Sequence, residues 1–196
     1  MINIIRGLIP RGRFGLKITK SKLYLVTGCS GAGKTTLIRG LSQLGISVVE
    51  EGTRQIIEAM IRDDSADLPW KNRLAFQRII VRRRVDDFLA APKDQMCFMD
   101  RGLPDEIAYY LKDGLSPDES CLQACADYRY AAEVFCLPPW RDIFNNDEVR
   151  QETFEDAVRV YDYIVAVYES LGYRLIEVPP VSVADRVRFV VGSLRH

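Results

Sequence analysis

Short apolar runs alternate along the chain with longer segments in which apolar positions recur at helical spacing. The runs cover residues 23–27, 46–50, 96–99, 134–137 and 175–178, and the predicted helices cover residues 34–44, 53–63, 71–91, 104–112, 117–131, 149–171 and 182–194. Strands that are apolar on both faces and alternate with helices are typical of a parallel sheet covered on both sides. The pattern therefore predicts an α/β fold with helices on both faces of a parallel sheet.

The first 22 residues differ in charge from the remainder of the chain. They carry six basic residues and no acidic one: Arg6, Arg11, Arg13, Lys17, Lys20 and Lys22. We predict a basic N-terminal extension over residues 1–22 and one nucleotide-binding domain over residues 23–196. The extension is interpreted as poorly ordered or strand-forming, with a basic arm, a membrane-surface segment or a targeting peptide as alternatives.

Composition narrows the possible chemistry and location. The formal net charge is zero, so we expect no nucleic-acid partner. No uncharged run approaches the roughly 18 residues that a membrane-spanning helix needs, and we expect a cytoplasmic protein without a membrane span. The five cysteines form no C-x-x-C pair and are interpreted as reduced thiols. His196 is the only histidine, which excludes histidine-based catalysis and leaves carboxylates, Lys, Arg and Mg²⁺.

A complete phosphate-binding loop follows the first apolar run. The sequence from Gly28 to Thr35 reads G-x-x-x-x-G-K-T and leads into a predicted helix. Glycines allow the backbone N–H groups to surround a phosphate, while the lysine adds positive charge and the threonine hydroxyl can bind Mg²⁺. The predicted nucleotide-binding residues are Gly28, Cys29, Ser30, Gly31, Ala32, Gly33, Lys34, Thr35 and Thr36. The ligand predicted by this motif is a nucleoside triphosphate.

Asp100 and Arg101 follow the apolar run over residues 96–99. An aspartate at this position resembles a Walker B residue, so Thr35 and Asp100 are the candidate magnesium ligands. ATP-driven motors need a glutamate next to it to position water, and the arginine found there instead favours a nucleoside or nucleotide kinase. The alternative is that Asp100 only caps the helix that begins near Pro104.

Glu50 and Glu51 end the second predicted strand. In a parallel sheet, ligands gather beyond the carboxyl ends of the strands, where either glutamate could orient a hydroxyl acceptor. Strand alternation predicts that only one of them faces the cleft. The alternative is a favourable charge at the start of the next helix.

Several arginines are candidates for stabilising the charge of a phosphoryl group. Arg141 and Arg150 bracket the segment after the fourth strand, where a lid that closes on the substrates is expected. The cluster of Arg78, Arg82, Arg83 and Arg84 is interpreted mainly as a solvated face, from which one arginine could reach the cleft. Together with Lys34, Asp100, Glu50, Glu51 and Arg101, the pair Arg141 and Arg150 completes the predicted catalytic set.

From about Leu23 to Arg195 the chain resembles the P-loop kinase superfamily. Within it, the chain is similar to small AAA-like ATP-binding domains related to the nicotinamide riboside kinase domain of bacterial NAD regulators. The matching elements are the loop at Gly28, the runs from Glu50 to Gln55 and from Leu68 to Trp70, Asp100-Arg101-Gly102, the run from Pro138 to Trp140, the residues from Asp147 to Glu152, Tyr168 to Tyr173, and Val178-Pro179. The resemblance implies the P-loop NTPase fold, with three layers and a five-stranded parallel sheet in the order 2-3-1-4-5.

Two functional hypotheses follow. The first is a Mg-ATP-dependent kinase that transfers a phosphoryl group to a small, nucleoside-like acceptor. The alternative is a regulatory or switch protein that binds ATP or GTP and has weak NTPase activity. The sequence lacks the N-K-x-D motif that reads guanine, which favours ATP over GTP.

Overall fold

The computed structural model describes residues 17–144 and 153–194. The strands are β1 (Ile18–Thr19), β2 (Leu23–Gly28), β3 (Ser47–Val49), β4 (Cys97–Asp100), β5 (Tyr128–Arg129), β6 (Glu133–Leu137) and β7 (Arg174–Glu177). The helices are α1 (Lys34–Gln43), α2 (Thr53–Arg62), α3 (Arg73–Ala90), α4 (Leu103–Lys112), α5 (Glu119–Asp127), α6 (Phe154–Ser170) and α7 (Val183–Ser193), with a 3₁₀ turn at Arg141–Ile143. Each predicted strand and helix has a counterpart among these elements.

Five parallel strands form the main sheet in the order β3-β4-β2-β6-β7. When only these five strands are counted along the chain, the order is the 2-3-1-4-5 implied by the resemblance. β2 is central, and its Val26 is in register with Asp100 of β4. The parallel register brings the ends of β2 and β4 together at one edge of the sheet.

Both faces of the sheet are buried under helices. Leu25 and Met99 belong to a core cluster that also contains buried residues of α3, α4, α5 and α6. Val26 and Phe98 belong to a second cluster with residues of α1 and α7. Adjacent residues of one strand therefore enter opposite cores, which explains why the central strands are mostly apolar. The predicted three-layer α/β fold is confirmed. Within the described ranges, no helix has the length and apolar character needed to cross a bilayer.

The predicted helix over residues 117–131 is wrong at its C-terminal end. Helix α5 ends at Asp127, and Tyr128–Arg129 form β5, which pairs in parallel with β1. The backbone of Tyr128 is extended (φ −105°, ψ 106°), and Arg129 O accepts a hydrogen bond from Lys20 N at 2.8 Å. An apolar pattern over so few residues fits a helix or a strand equally well, and pairing with β1 decides for the strand. Of the helix predicted over 149–171, residues 149–152 lie outside the described part of the chain.

Lys20, which follows β1, joins the predicted N-terminal extension to helix α3. Its buried ammonium donates hydrogen bonds to the carbonyl oxygens of Phe88 at 2.5 Å, Leu89 at 3.1 Å and Ala91 at 2.5 Å. The last carbonyls of a helix lack partners within the helix and carry partial negative charge, so a cation there is favourable. The extension therefore supplies a charge that caps α3 at its C-terminus.

We predict that Lys20→Met lowers the free energy of unfolding by about 2 kcal/mol, because buried carbonyls lose their hydrogen-bond donor. The measurement is urea unfolding at pH 7. Lys22→Met is the matched control, since the exposed Lys22 also donates to a carbonyl oxygen, that of Asp94 at 2.9 Å. Equal effects of the two substitutions would contradict this assignment.

Candidate active site

The turn between β2 and α1 has the backbone of a phosphate-binding loop. Gly28, Gly31 and Gly33 have φ angles of +133°, +76° and +85°, a region that side chains other than glycine rarely adopt. At Gly28 the chain also passes close to β6, because an added Cβ would lie 2.3 Å from the carbonyl oxygen of Leu137. Left-handed residues between right-handed ones turn successive N–H groups to one side, which creates an anion-binding concavity.

Lys34 is the first residue of α1 and is buried against the loop. Its ammonium donates to the carbonyl oxygens of Gly28 at 3.1 Å and Cys29 at 2.7 Å. Burial, together with the charge of Arg101, lowers the pKa of Lys34 to about 8. A nearby anion would favour the charged form of this ammonium and reverse that shift.

Thr35 and Asp100 lie side by side at the ends of α1 and β4. Thr35 Oγ1 is 3.5 Å from Asp100 Oδ2, and Asp100 Oδ1 is buried without a hydrogen-bond partner in the described ranges. Burial raises the pKa of Asp100, while Lys34 and Arg101 act in the opposite direction. Magnesium prefers oxygen ligands and is usually held by one or two protein groups plus water and phosphate. A hydroxyl beside an unpartnered carboxylate oxygen fits such an ion.

Arg84, Arg101, Glu51 and Glu106 form an ion-pair network beside the loop. The guanidinium of Arg84 is 3.1 Å from Glu106 Oε1 and 3.3 Å from Glu51 Oε1. Arg101 Nε is 3.4 Å from the same oxygen of Glu51. Glu51, from the connection after β3, therefore lies between two buried guanidinium groups that come from α3 and from the end of β4.

Arg101 connects this network to the phosphate-binding loop. Its guanidinium donates to the carbonyl oxygen of Gly28 at 3.1 Å and to Asp105 Oδ1 at 3.4 Å, and its N–H donates to Val26 O at 3.0 Å. Its φ angle of +67° is unusual for a residue with a side chain. Such strain persists only where surrounding contacts hold the residue in place, and those contacts are present here.

Asp105 is fully buried and joins three elements around Arg101. It accepts hydrogen bonds from the hydroxyl of Thr27 at 2.6 Å, the hydroxyl of Tyr168 at 2.5 Å and the N–H of Gly102 at 2.9 Å. These donors come from β2, α6 and the start of α4. Asp105 therefore fixes the end of β2 relative to the helix that follows β4.

The two glutamates of the network titrate in opposite directions. Burial alone would raise the pKa of Glu51, but the charges of Arg101 and Arg84 outweigh burial and lower that pKa to about 2. Burial raises the pKa of Glu106 to about 7, although Arg84 opposes it. Glu51 is therefore ionised over the whole physiological pH range, and its carboxylate accepts hydrogen bonds throughout that range.

A cavity of about 350 Å³ opens between the network and helices α2, α3 and α4. It adjoins the phosphate-binding loop at Ser30. Its lining combines the charged network with aromatic and amide groups: Glu51, Arg84, Arg101, Glu106, Trp70, Phe76, Gln77 and Tyr109 are among its residues. A concave site of this size, in which charged and polar groups converge beside aromatic walls, is suited to a small molecule that carries polar groups.

Most of the sequence-predicted site residues meet at this edge of the sheet. Lys34, Thr35, Asp100, Arg101 and Glu51 are all joined by the contacts described above. Glu50 and Arg141 take no part in these contacts. Glu50 is exposed and lines a separate surface pocket, so only Glu51 of the pair reaches the cavity.

The structure does not bring Arg141 to the loop. Its side chain is 70% exposed, pairs with Glu155 Oε1 at 3.2 Å and lies 4.2 Å from the ring centre of Phe154. Phe144, three residues later, does contact the loop, because a Cβ on Gly31 would lie 2.8 Å from its ring. Arg150 lies outside the described residues.

Some site residues could not be recognised in the sequence. The cluster was predicted to be mainly a solvated face from which one arginine could reach the cleft, but the sequence did not indicate which one. Arg84 is buried in the cavity wall, whereas Arg78 and Arg83 pair with Asp118 and Asp87. Asp105 and Glu106 follow Pro104 and look in the sequence like ordinary acids of a first helical turn. Arg186 of α7 is buried against the loop, 154 residues from the carbonyl it contacts. Only the tertiary fold brings these residues to the site.

Residues 23–186 match the sequence model of the family described as "AAA domain". The chain belongs to this family. The match agrees with the resemblance to AAA-like ATP-binding domains and covers the whole site described above. No functionally characterised protein gave a significant match by sequence.

Solved structures show which proteins share the fold of this AAA domain protein. Thymidylate kinase from Ehrlichia chaffeensis is 18% identical with a TM-score of 0.59, over 90% of this chain and 99% of its own. Deoxyadenosine kinase from M. mycoides is 14% identical with a TM-score of 0.62, over 88% and 98%. The NadR protein in complex with NR is 18% identical with a TM-score of 0.64, over 89% of this chain and 51% of NadR. At identities below 25%, this similarity shows that the chain shares its fold with these proteins.

We predict that Glu51→Gln lowers the free energy of unfolding at pH 7 and makes that free energy depend less on pH between pH 7 and pH 3. A carboxylate whose folded pKa is depressed stabilises the protein above its unfolded pKa, and that stabilisation is lost as the pH falls through the folded pKa. With a folded pKa of about 2, the contribution of Glu51 is about 3 kcal/mol above pH 5 and disappears between roughly pH 4.5 and pH 2.

The measurement is urea unfolding of the wild type and the variant at pH 7, 5, 4 and 3. Glu50→Gln serves as the control, because its exposed side chain lies outside the network. A Glu51→Gln protein with the stability and acid dependence of the wild type would rule out the two-arginine environment of Glu51.

Proposed function

We propose that this protein is a Mg-ATP-dependent kinase that transfers the γ-phosphoryl group to a hydroxyl of a small, nucleoside-like molecule. The observation that carries the proposal is that the loop and the cavity adjoin. Ser30 belongs to the loop and lines the cavity, while Arg101 lines the cavity and bonds to Gly28 of the loop. Direct phosphoryl transfer needs donor and acceptor in contact, in line, and screened from water.

The donor site uses the loop and its neighbours. The loop N–H groups and Lys34 would hold the β- and γ-phosphates, and Thr35 and Asp100 would hold Mg²⁺. When bound, the metal ion neutralises charge that develops on the phosphoryl oxygens. Arg101 occupies the position where a motor ATPase needs a glutamate, which supports transfer to an acceptor over hydrolysis.

The acceptor site uses the cavity, and its ion pairs favour an acceptor without a phosphate group. Arg84 and Arg101 are both paired with carboxylates, and Arg73, also in the lining, lies 2.5 Å from Asp113. A phosphate group would have to separate such pairs and would leave partly buried carboxylates without a partner, which is unfavourable. A hydroxyl acceptor disturbs none of them.

Glu51 is the residue best placed to orient that hydroxyl. It is ionised, held between two arginines, and lies where the cavity meets the loop. A carboxylate with so low a pKa is a weak base, but phosphoryl transfer depends more on positioning and charge stabilisation than on proton removal. Trp70, Phe76 and Tyr109 offer the aromatic faces on which a base or a pyridine ring packs.

Arg141 and Arg150 remain the predicted lid arginines. Phe144 already contacts Gly31 of the loop, and its ring centre lies 5.4 Å from that of Phe154. The two ends of the connection that carries Arg150 therefore meet beside the loop. We infer that Arg141 leaves Glu155 when both substrates are bound and joins the transferring phosphoryl group.

The test is an ATP-consumption assay with Mg²⁺ and a panel of nucleosides, nicotinamide riboside and nucleoside monophosphates, repeated with GTP. We expect ATP-dependent phosphorylation of a member of the panel that has no phosphate group. Lys34→Ala and Asp100→Ala are each expected to lower turnover at least ~10²-fold, because each removes a preorganised charge or ligand at the transferring group.

Asp94→Asn, on the exposed approach to β4, is the control and should retain full turnover. Turnover that survives both Lys34→Ala and Asp100→Ala with the true acceptor would contradict the mechanism. Nucleotide binding that requires a protein partner, with no acceptor in the panel, would favour the regulatory alternative.

A further inference from the structure

Arg84, Arg101 and Arg186 are the buried arginines of the described residues, with 2%, 4% and 4% exposure. The first two are neutralised by carboxylates of the ion-pair network. Arg186 is different, because no carboxylate of the described ranges lies within ion-pair distance of it. A buried guanidinium without a counter-ion is rare, since desolvation of an unpaired charge costs several kcal/mol.

The partners of Arg186 are neutral. One guanidinium nitrogen donates to the carbonyl oxygen of Ala32 at 3.4 Å, and the guanidinium carbon lies 5.5 Å from the ring centre of Trp140. Arg186 Nε is buried and has no hydrogen-bond partner among the residues described. A carbonyl and an aromatic face attract a cation without cancelling its charge. Burial accordingly lowers the pKa of Arg186.

Arg186 is held against the phosphate-binding loop by the packing of α7 on α1. A Cβ on Gly33 would lie 2.6 Å from its guanidinium, and a Cβ on Gly40 of α1 would lie 2.7 Å from Val187. The absence of side chains at two glycines thus permits this approach. The guanidinium contacts the loop in the residues immediately before Lys34.

The loop therefore has a charged group on each of two sides. The network of Arg101 and Glu51 adjoins it through Gly28 and Ser30, next to the acceptor cavity. Arg186 adjoins it through Ala32 and Gly33, and it does not line that cavity. Among the described residues, the arginines of the first side are paired with carboxylates and Arg186 on the second side is not, so Arg186 presents an unpaired positive charge to a ligand in the loop.

We propose that Arg186 is a positioning residue of the donor site, whose unbalanced charge attracts the polyphosphate of the nucleotide and whose contact with Ala32 holds the loop. The inference rests on the proposed function, because it requires a nucleoside triphosphate in the loop. In this arrangement the counter-ion of Arg186 is the ligand. The cost of burying the charge is then recovered when the nucleotide binds.

The experiment measures the dissociation constants of Mg-ATP, Mg-ADP and AMP by titration calorimetry for the wild type, Arg186→Gln and Arg186→Lys. Arg188→Gln is the matched control, because Arg188 lies on the same helix, is exposed and pairs with Asp185. We expect Arg186→Gln to weaken ATP binding about tenfold or more, as for loss of one interaction with a charged group. The loss should decrease from ATP to ADP to AMP, because the charge of the ligand decreases.

Arg186→Lys supplies an ammonium in place of the guanidinium and should bind ATP more tightly than Arg186→Gln, although less tightly than the wild type because the stacked guanidinium is lost. An equal loss for all three ligands that lysine does not rescue would overturn the proposal and leave Arg186 a packing residue. If Arg186→Gln does not fold, Arg186→Met, which preserves the aliphatic packing, replaces it. Failure of both neutral variants to fold, with Arg186→Lys native, would also overturn it.

These outcomes separate the inference from the proposed function. A wild-type protein that binds no nucleotide contradicts the proposed function itself. A wild type that binds ATP, with an Arg186→Gln variant that binds it equally well, contradicts only the role of Arg186.

Discussion

The close approach of the ends of β2 and β4 is the constraint on which the site depends. Val26 and Asp100 are in register, and Arg101 is bonded through its N–H to Val26 and through its guanidinium to Gly28. The loop that binds phosphate and the strand end that carries the candidate metal ligand are thereby fixed as one unit. Asp105 strengthens this unit, because it also accepts a hydrogen bond from Thr27 near the end of β2. The strained backbone of Arg101 is the cost of this connection.

Charge balance divides the site into parts with different tasks. On the cavity side, each of the guanidinium groups of Arg84 and Arg101 has a carboxylate partner, so the cavity suits an acceptor without a phosphate group. On the loop itself, the hydrogen-bond acceptors that Lys34 and Arg186 find among residues 17–144 and 153–194 are neutral carbonyl oxygens. Positive charge is thus available where phosphate is expected and is compensated where a hydroxyl is expected. The protein can have this local distribution of charge although its formal net charge is zero.

The sequence predicted the fold because its signals are local. Apolar runs of fixed length, glycines with positive φ and the spacing of the loop motif depend on a few neighbouring residues, and the five-stranded order followed from the resemblance. The end of α5 was mispredicted because β5 exists only through its pairing with β1, more than 100 residues earlier. In the same way, Arg84 of α3 pairs with Glu106 of α4, and Arg186 contacts Ala32, which is 154 residues earlier in the sequence. Pairs that form only in the tertiary fold leave no local pattern.

The central claim is that the loop binds a polyphosphate beside Lys34, and proton-linked calorimetry tests it most directly. Mg-ATP is titrated at pH 8 in two buffers of different ionisation enthalpy. Because burial lowers the pKa of Lys34 to about 8, part of the free protein carries a neutral Lys34 at pH 8, and binding beside the phosphates favours the charged form. Binding with a net uptake of protons, abolished in Lys34→Arg, is the predicted result. Absence of binding, or binding with the same uptake in Lys34→Arg, would contradict it.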